Sequence, residues 1–249
     1  MALRVGFDLD GTVADMYTAL QREAERLFGR EALERNSNTK NTKDISASTT
    51  DTKDKDTKED DQDENSTTNL AMDELHLTAR QQMQLWDHVR KIENFWTTLP
   101  ELEPGIIARI AKAATERRWE VIFLTTRPST AGALTQVQSQ RWLDAHGFEY
   151  PSVFVVQRSR GKIADALHLD IFVDDRPENC LDIAVESKTK VILIWHGLLK
   201  DVPPGAKRMG VRAVNTISEA LAIIEQYDDQ KSAPGVMRSL KKLIGRGTE

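Results

Sequence analysis

The sequence predicts an α/β fold: a parallel sheet with helices on both faces and a largely helical insertion after the first strand. Two observations carry this reading. From Pro100 onward, short apolar runs alternate with amphipathic helical stretches, the pattern of βαβ units joined by right-handed crossovers. One more run of the same character, "LRVGFDLD", stands at the start of the chain and is cut off from the others by a long segment of different composition.

Taken in order, "LRVGFDLD" is the first strand and "MYTALQREAERLF" a helix ending near Gly29, because its apolar residues recur at helical spacing. Residues 36–69, "NSNTKNTKDISASTTDTKDKDTKEDDQDENSTTN", contain Ile45 as their only large aliphatic residue. Such a segment buries too little apolar surface to offset the entropy of ordering, so a disordered insertion is expected there. Met72 to Trp96 then places Leu75, Leu85, Trp86, Val89, Ile92, Phe95 and Trp96 in a mostly 3.6-residue rhythm. Together with the helix before the insertion, two or three helices are expected, with the aromatic residues in the core.

The alternating part follows. Helix "PGIIARIAKAATERR" leads to strand "EVIFL", helix "TQVQSQRWLDAHG" to strand "SVFVV", and helix "GKIADALHL" to strand "DIFVDD". Strand "KVILIW" and helix "TISEALAIIEQY" complete the series. The expected organisation is a catalytic core of residues 1–14 and 100–228, a helical insertion over 15–99 that holds the 36–69 segment, and a basic amphipathic tail over 229–249.

The bulk numbers narrow the function classes. A chain of 249 residues with 39% hydrophobic and 29% charged residues suits one well-buried core in a water-soluble protein. No apolar run approaches the ~20 residues that span a bilayer. The start of the chain lacks the charged, apolar and small-residue sections of a signal peptide. Cys180, the single cysteine, has no partner for an internal disulfide, and a cytoplasmic protein is expected. A net charge of -5 supplies no global attraction for nucleic acid.

In an open parallel sheet, ligands bind beyond the carboxyl ends of the strands, and what stands there is consistent. The first strand ends in Asp8 and Asp10, "EVIFL" in Thr125, Thr126 and Arg127, and "DIFVDD" in Asp174 and Asp175; Lys162 opens a helix in "RSRGKIADAL". Several carboxylates converging in one crevice repel each other unless a cation sits among them, and hard oxygen donors suit Mg2+. A hydroxyl, backbone N–H groups and a lysine are what holds a phosphoryl group and offsets its charge.

"DLDGT", the strand-end threonine, the lysine and the "DD" pair resemble, in order, the four motifs of the haloacid dehalogenase superfamily. The resemblance covers Leu3 to Asp15 and about Pro100 to Tyr227 and implies a Rossmann-like sheet. It implies further that Asp8 is a nucleophile forming an aspartyl-phosphate, and that Asp10 is the acid that protonates the leaving oxygen and then the base that activates water. Thr125 would bind phosphoryl oxygens, with Thr126 the other candidate. Lys162 would offset the charge around Asp8, although Arg158 and Arg160 are competing cations. Mg2+ would be held by Asp8, Asp10, Asp174 and Asp175, and Gly11 would allow the turn whose N–H groups face the phosphate. Arg127 either grips a substrate anion or makes an internal salt bridge, and His196 reads as a loop residue.

Asp10 sets the expected reaction. Dehalogenases of the superfamily lack this second aspartate because a halide leaves without a proton, whereas a departing alkoxide needs one. Phosphomonoester hydrolysis is therefore expected, with the 15–99 insertion as a cap. The exit "FWTTLPELEPG" and "VDDRPEN" are loosely similar to 5'(3')-deoxyribonucleotidases, which implies a small substrate such as a nucleoside monophosphate. Two other classes are a phosphatase of nucleic-acid ends and a non-catalytic binding protein. The tail "GVMRSLKKLIGR" fits the former through Arg238, Lys241, Lys242 and Arg246, and its stripe of Val236, Leu240 and Leu243 also suits a docking or oligomer helix.

Overall fold

A computed structural model describes residues 2–30, 33 and 75–232. The segment expected to be disordered, 36–69, and residues 233–249 of the expected tail lie outside the described residues.

Six strands form one sheet in the order β3-β2-β1-β4-β5-β6. They are β1 (Arg4–Asp8), β2 (Glu120–Thr125), β3 (Ser152–Val155), β4 (Ile171–Asp174), β5 (Lys190–Ile194) and β6 (Arg212–Val214). The pairs β1–β4, β2–β3, β4–β5 and β5–β6 are parallel. Among the described residues the α-helices are α1 (Met16–Phe28), α2 (Ala79–Val89), α3 (Ile106–Arg117), α4 (Thr135–Ala145), α5 (Arg160–Ala166), α6 (Pro177–Glu186), α7 (Pro204–Arg208) and α8 (Ile217–Ser232). The expected α/β class is what the chain adopts.

Contacts divide the chain into two units, and β1 and β2 each contribute residues to both. The first comprises Met1–Phe7, Lys112–Val121 and Arg160–Glu249. In it Val5, Gly6 and Phe7 of β1 face Ile171, Phe172 and Val173 of β4. Val5, Phe7, Phe172 and Val173 are all fully buried, as strands of a parallel sheet are when both faces are covered. Gly6 is required here: a Cβ built on it would collide with the Phe172 ring and come within 2.8 Å of Leu169. Pro177 starts α6 in its first turn, where a missing N–H costs nothing. α6 meets α5 at Gly161, whose N–H donates to Asp182 Oδ2 at 2.8 Å and whose Cβ position is filled by the Asp182 carbonyl.

The second unit comprises Asp8–Ala111 and Ile122–Ser159. Asp15 caps α1 by accepting the Thr18 N–H at 2.9 Å, and the helix ends at Gly29 with φ +78°, a left-handed value that glycine adopts without strain. Thr78 and Gln81 form a capping box at the start of α2. α1 and α2 lie together, with His88 Nε2 2.9 Å from Glu23 Oε2. Leu85, Trp86, Val89, Phe95 and Trp96 are buried, in agreement with the core role expected of them.

Several elements differ from expectation. Before Pro100 the described residues hold two α-helices, α1 and α2, within the two or three expected, and the stretch after α2 forms a 3-10 turn, Phe95–Thr97. Asn94 breaks the rhythm with φ +52°, held there as its Oδ1 accepts the Ala133 N–H at 2.9 Å. α6, α7 and β6 were not expected; β6 has only three residues and exists through its pairing with β5. α8 runs on to Ser232, past the expected start of the tail at 229.

Candidate active site

Asp8 is the last residue of β1, and its neighbour Phe7 pairs with Val173 in β4. Asp174 is the last residue of β4. Carboxylate oxygens of Asp8, Asp174 and Asp175 lie within 4.8 Å of one another. Asp8 and Asp174 are buried, and Asp175 is half-buried.

Asp174 sits in a dense set of donors. Its Oδ1 accepts the Arg176 N–H at 2.9 Å and Asn179 Nδ2 at 3.1 Å; its Oδ2 accepts Arg160 Nη1 at 3.0 Å and Asn179 Nδ2 at 3.1 Å. Burial pushes the Asp174 carboxyl above the usual carboxylate range, although Arg160, the Arg176 N–H and Asn179 pull the other way. Asn179 comes within reach because α6 starts just after the aspartates, so its first turn returns the side chain to the strand end.

Asp10 lies in the turn after β1. Gly11 has φ +78°, and its own N–H donates to the Ala14 carbonyl at 3.0 Å. The Asp10 carboxylate is gripped by Arg127, whose Nε donates to Oδ1 at 3.0 Å and to Oδ2 at 2.8 Å while Nη2 donates to Oδ1 at 2.7 Å. Thr125 Oγ1 reaches Oδ2 at 3.4 Å and accepts the Arg127 N–H at 3.3 Å. Arg127 is only 2% exposed. Its remaining fork atom, Nη1, donates to Ser139 Oγ at 3.0 Å, and its guanidinium lies 5.0 Å from the Trp96 ring centre and 5.8 Å from that of Trp142. The two indoles are fixed in turn by Nε1 bonds to the carbonyls of Pro128 at 2.9 Å and Leu99 at 2.7 Å.

No protein-family model matches the chain, and no curated protein matches it. Solved structures similar to it include a dehalogenase in an intermediate complex, 15% identical, covering 89% of this chain and 96% of that one with a TM-score of 0.49. A haloacid dehalogenase-like family hydrolase from Xanthomonas campestris is 14% identical, with coverage of 92% and 93% and a TM-score of 0.47. One from Streptococcus pneumoniae is 14% identical, with 90% and 98% covered and a TM-score of 0.48. These structural neighbours are haloacid dehalogenase-like proteins.

Of the residues nominated by the haloacid dehalogenase resemblance, Asp8, Asp174 and Asp175 come together, and Asp10, Thr125 and Arg127 come together. For Arg127 the internal salt bridge is the arrangement present. The Thr125 hydroxyl is directed at Asp10, while Thr126 is half-buried beside it. Gly11 makes the expected turn, but its N–H is spent on Ala14 rather than left to face a ligand.

α5 begins at Arg160, one residue earlier than expected, and buries Arg160, Gly161 and Ala164 on one side. At about 100° per residue, Lys162 falls on the other side and is exposed, while Arg160 pairs with Asp174 at 3.0 Å. Arg176, Asn179, Ser139, Trp96 and Trp142 were not singled out as site residues. Arg176 and Asn179, both in the quoted "VDDRPEN", and Trp96, in "FWTTLPELEPG", carried a readable signal; Ser139 and Trp142 are brought in by packing alone. His196 is an exposed loop residue, as expected.

The acid cluster suits a small divalent cation. Its donors are all hard oxygens, and Asp8 Oδ2 is a buried oxygen to which no hydrogen bond is made, although Asp8 has other interactions. The four lone-pair directions of Asp174 are all in use, so a cation there takes the place of one donor.

Proposed function

We propose that this chain is a Mg2+-dependent phosphomonoester hydrolase of the haloacid dehalogenase type, acting through an aspartyl-phosphate. The observation that carries the proposal is the pairing of two aspartates two residues apart with different surroundings. Asp8 is buried beside two further carboxylates, whereas Asp10 is oriented by an arginine and a threonine. A nucleophile and an acid/base require this kind of separation.

In the proposed reaction an oxygen of Asp8 attacks phosphorus, the bond to the leaving oxygen breaks, and Asp10 gives that oxygen its proton. Water then attacks the phosphorus of the aspartyl-phosphate and gives a proton to Asp10, and the bond to Asp8 breaks. Oδ2 of Asp10 is the oxygen suited to this transfer, because it carries one Arg127 bond and the long Thr125 contact whereas Oδ1 carries two Arg127 bonds. Asp8, Asp174 and Asp175, with Asp10 contributing from the turn, would hold Mg2+, which when bound would offset negative charge on the phosphoryl group. Arg160, already at Asp174, assumes the charge-balancing role expected of Lys162, and Thr125 or Thr126 contacts the phosphoryl oxygens.

The insertion 15–99 is read as the cap that selects the substrate, and the preferred class is a small cytoplasmic phosphomonoester such as a nucleoside monophosphate. The test is phosphate release from p-nitrophenyl phosphate, nucleoside monophosphates, sugar phosphates and 5'-phosphorylated oligonucleotides, with halide release from 2-chloropropionate as the contrasting arm. Wild type is expected to release phosphate with Mg2+ and to stop with EDTA or in Asp8→Asn. Equal turnover by wild type and Asp8→Asn, or halide release alone, overturns the proposal.

A further inference from the structure

At the amino-terminal ends of β4, β5 and β6, the strand ends opposite to Asp174, a cavity of about 480 Å³ opens. Its size lies within the range of small-ligand pockets, roughly 300–1,000 Å³. Three cations line it, Lys188, Lys190 and Arg212, and none of its lining residues is acidic.

The strand register explains why the cations gather. Arg212 of β6 pairs with Ile192 of β5, and Lys190 stands two residues before Ile192. Both side chains therefore leave the same face of the sheet, offset by about 6.6 Å along the strand. Lys188 reaches the same rim because Thr189, between the two lysines, turns inward and donates its hydroxyl to the Leu169 carbonyl at 2.9 Å. α8 forms the facing wall with Gln226, Tyr227 and Gln230, which share one helix face at i, i+1 and i+4.

Among the described residues, no carboxylate pairs with any of these three cations. Three acids of the flanking segments are engaged elsewhere. Asp170 takes Lys231 Nζ at 2.5 Å and the Arg4 N–H at 2.9 Å, and Asp228 and Asp229 of α8 take Trp119 Nε1 and Arg117. The contact that Lys190 makes is with the Tyr227 ring, 5.4 Å from Nζ to the ring centre. In a chain of net charge -5, three uncompensated cations around one cavity create a local positive field. Guanidinium and ammonium groups that converge in this way match phosphate oxygens.

We propose that this cavity binds a phosphorylated anion at a site separate from the acid cluster, with Lys188, Lys190 and Arg212 as its charge contacts and the two glutamine amides as further donors. The proposal does not depend on the chain being a phosphatase.

The test titrates inorganic pyrophosphate into the full chain by calorimetry in EDTA, comparing wild type, Asp8→Asn, and a variant carrying Lys188→Glu, Lys190→Glu and Arg212→Glu. The charge-reversed variant is expected to lose affinity about tenfold or more, while Asp8→Asn binds as wild type does. A milder variant with glutamine at the same three positions, checked by its circular dichroism melt, guards against a folding defect. A parallel titration with ATP in wild type and Tyr227→Ala shows whether a base adds to the phosphate contacts. Absence of binding, binding unchanged by the triple replacements, or binding lost in Asp8→Asn overturns the proposal.

Discussion

Arg127 holds Asp10 by both carboxylate oxygens, through three hydrogen bonds of 2.7–3.0 Å in a buried setting. A planar fork can fix a carboxylate in this way and an ammonium cannot. Arg127→Ala leaves the buried Asp10 without a cation and is expected to cost about 3–5 kcal/mol of stability, read as a lower urea midpoint. Arg127→Lys keeps the charge but loses the second anchoring point. It should recover most of the stability while kcat for an aryl phosphate stays depressed, on the order of 10-fold. Equal recovery of stability and kcat would show that Arg127 serves only the fold.

Arg160 and Lys162 separate by activity. Arg160 is buried on Asp174, while Lys162 is exposed on the other side of α5. Lys162→Ala should leave kcat/KM for an aryl phosphate within about threefold of wild type, the effect of a long-range surface charge. Arg160→Gln should lower it by roughly 100-fold, as loss of a buried charge contact at a phosphoryl site does. The reverse order would restore Lys162 to the site.

Gly6 tests the packing of β1 against β4. Its Cβ position is already occupied by Phe172 and Leu169, so Gly6→Ala should destabilise the chain by about 1–3 kcal/mol through overpacking. Pairing the change with Phe172→Leu should return part of that loss, and thermal melts of the single and double variants measure the coupling.

Cys180 offers a one-thiol readout. It is buried in α6, its Sγ 3.9 Å from the Asp174 carbonyl, and burial followed by the charges of Asp174 and Asp175 pushes the thiol well above its ordinary value. The native protein should react with an aromatic disulfide reagent at pH 8 far more slowly than the protein in guanidinium, because the thiolate is the reacting form. Equal rates would place the thiol in solvent.

The alternation of apolar runs and amphipathic helices was sufficient to read five of the strands, since each carries enough apolar residues to show its period. β6 was invisible because Arg212–Val214 has no pattern of its own and becomes a strand only beside β5. α6 was obscured because the polar residues of "PENCLDIAVE" that turn toward Asp174 and α5 blur its apolar stripe.

By itself the sequence determined which residue types end the strands, and so the candidates Asp8, Asp10, Thr125, Asp174 and Asp175, because strand ends and turn chemistry are local properties. Which cation meets which carboxylate was decided only in the folded chain. The pairing of Arg160 with Asp174 follows from where α5 starts and how Gly161 fits against Asp182. The commitment of Arg127 to Asp10 follows from two indoles and a serine supplied by distant segments. A long cationic side chain can reach several acids, and burial selects among them through packing and desolvation, which no spacing in the chain records.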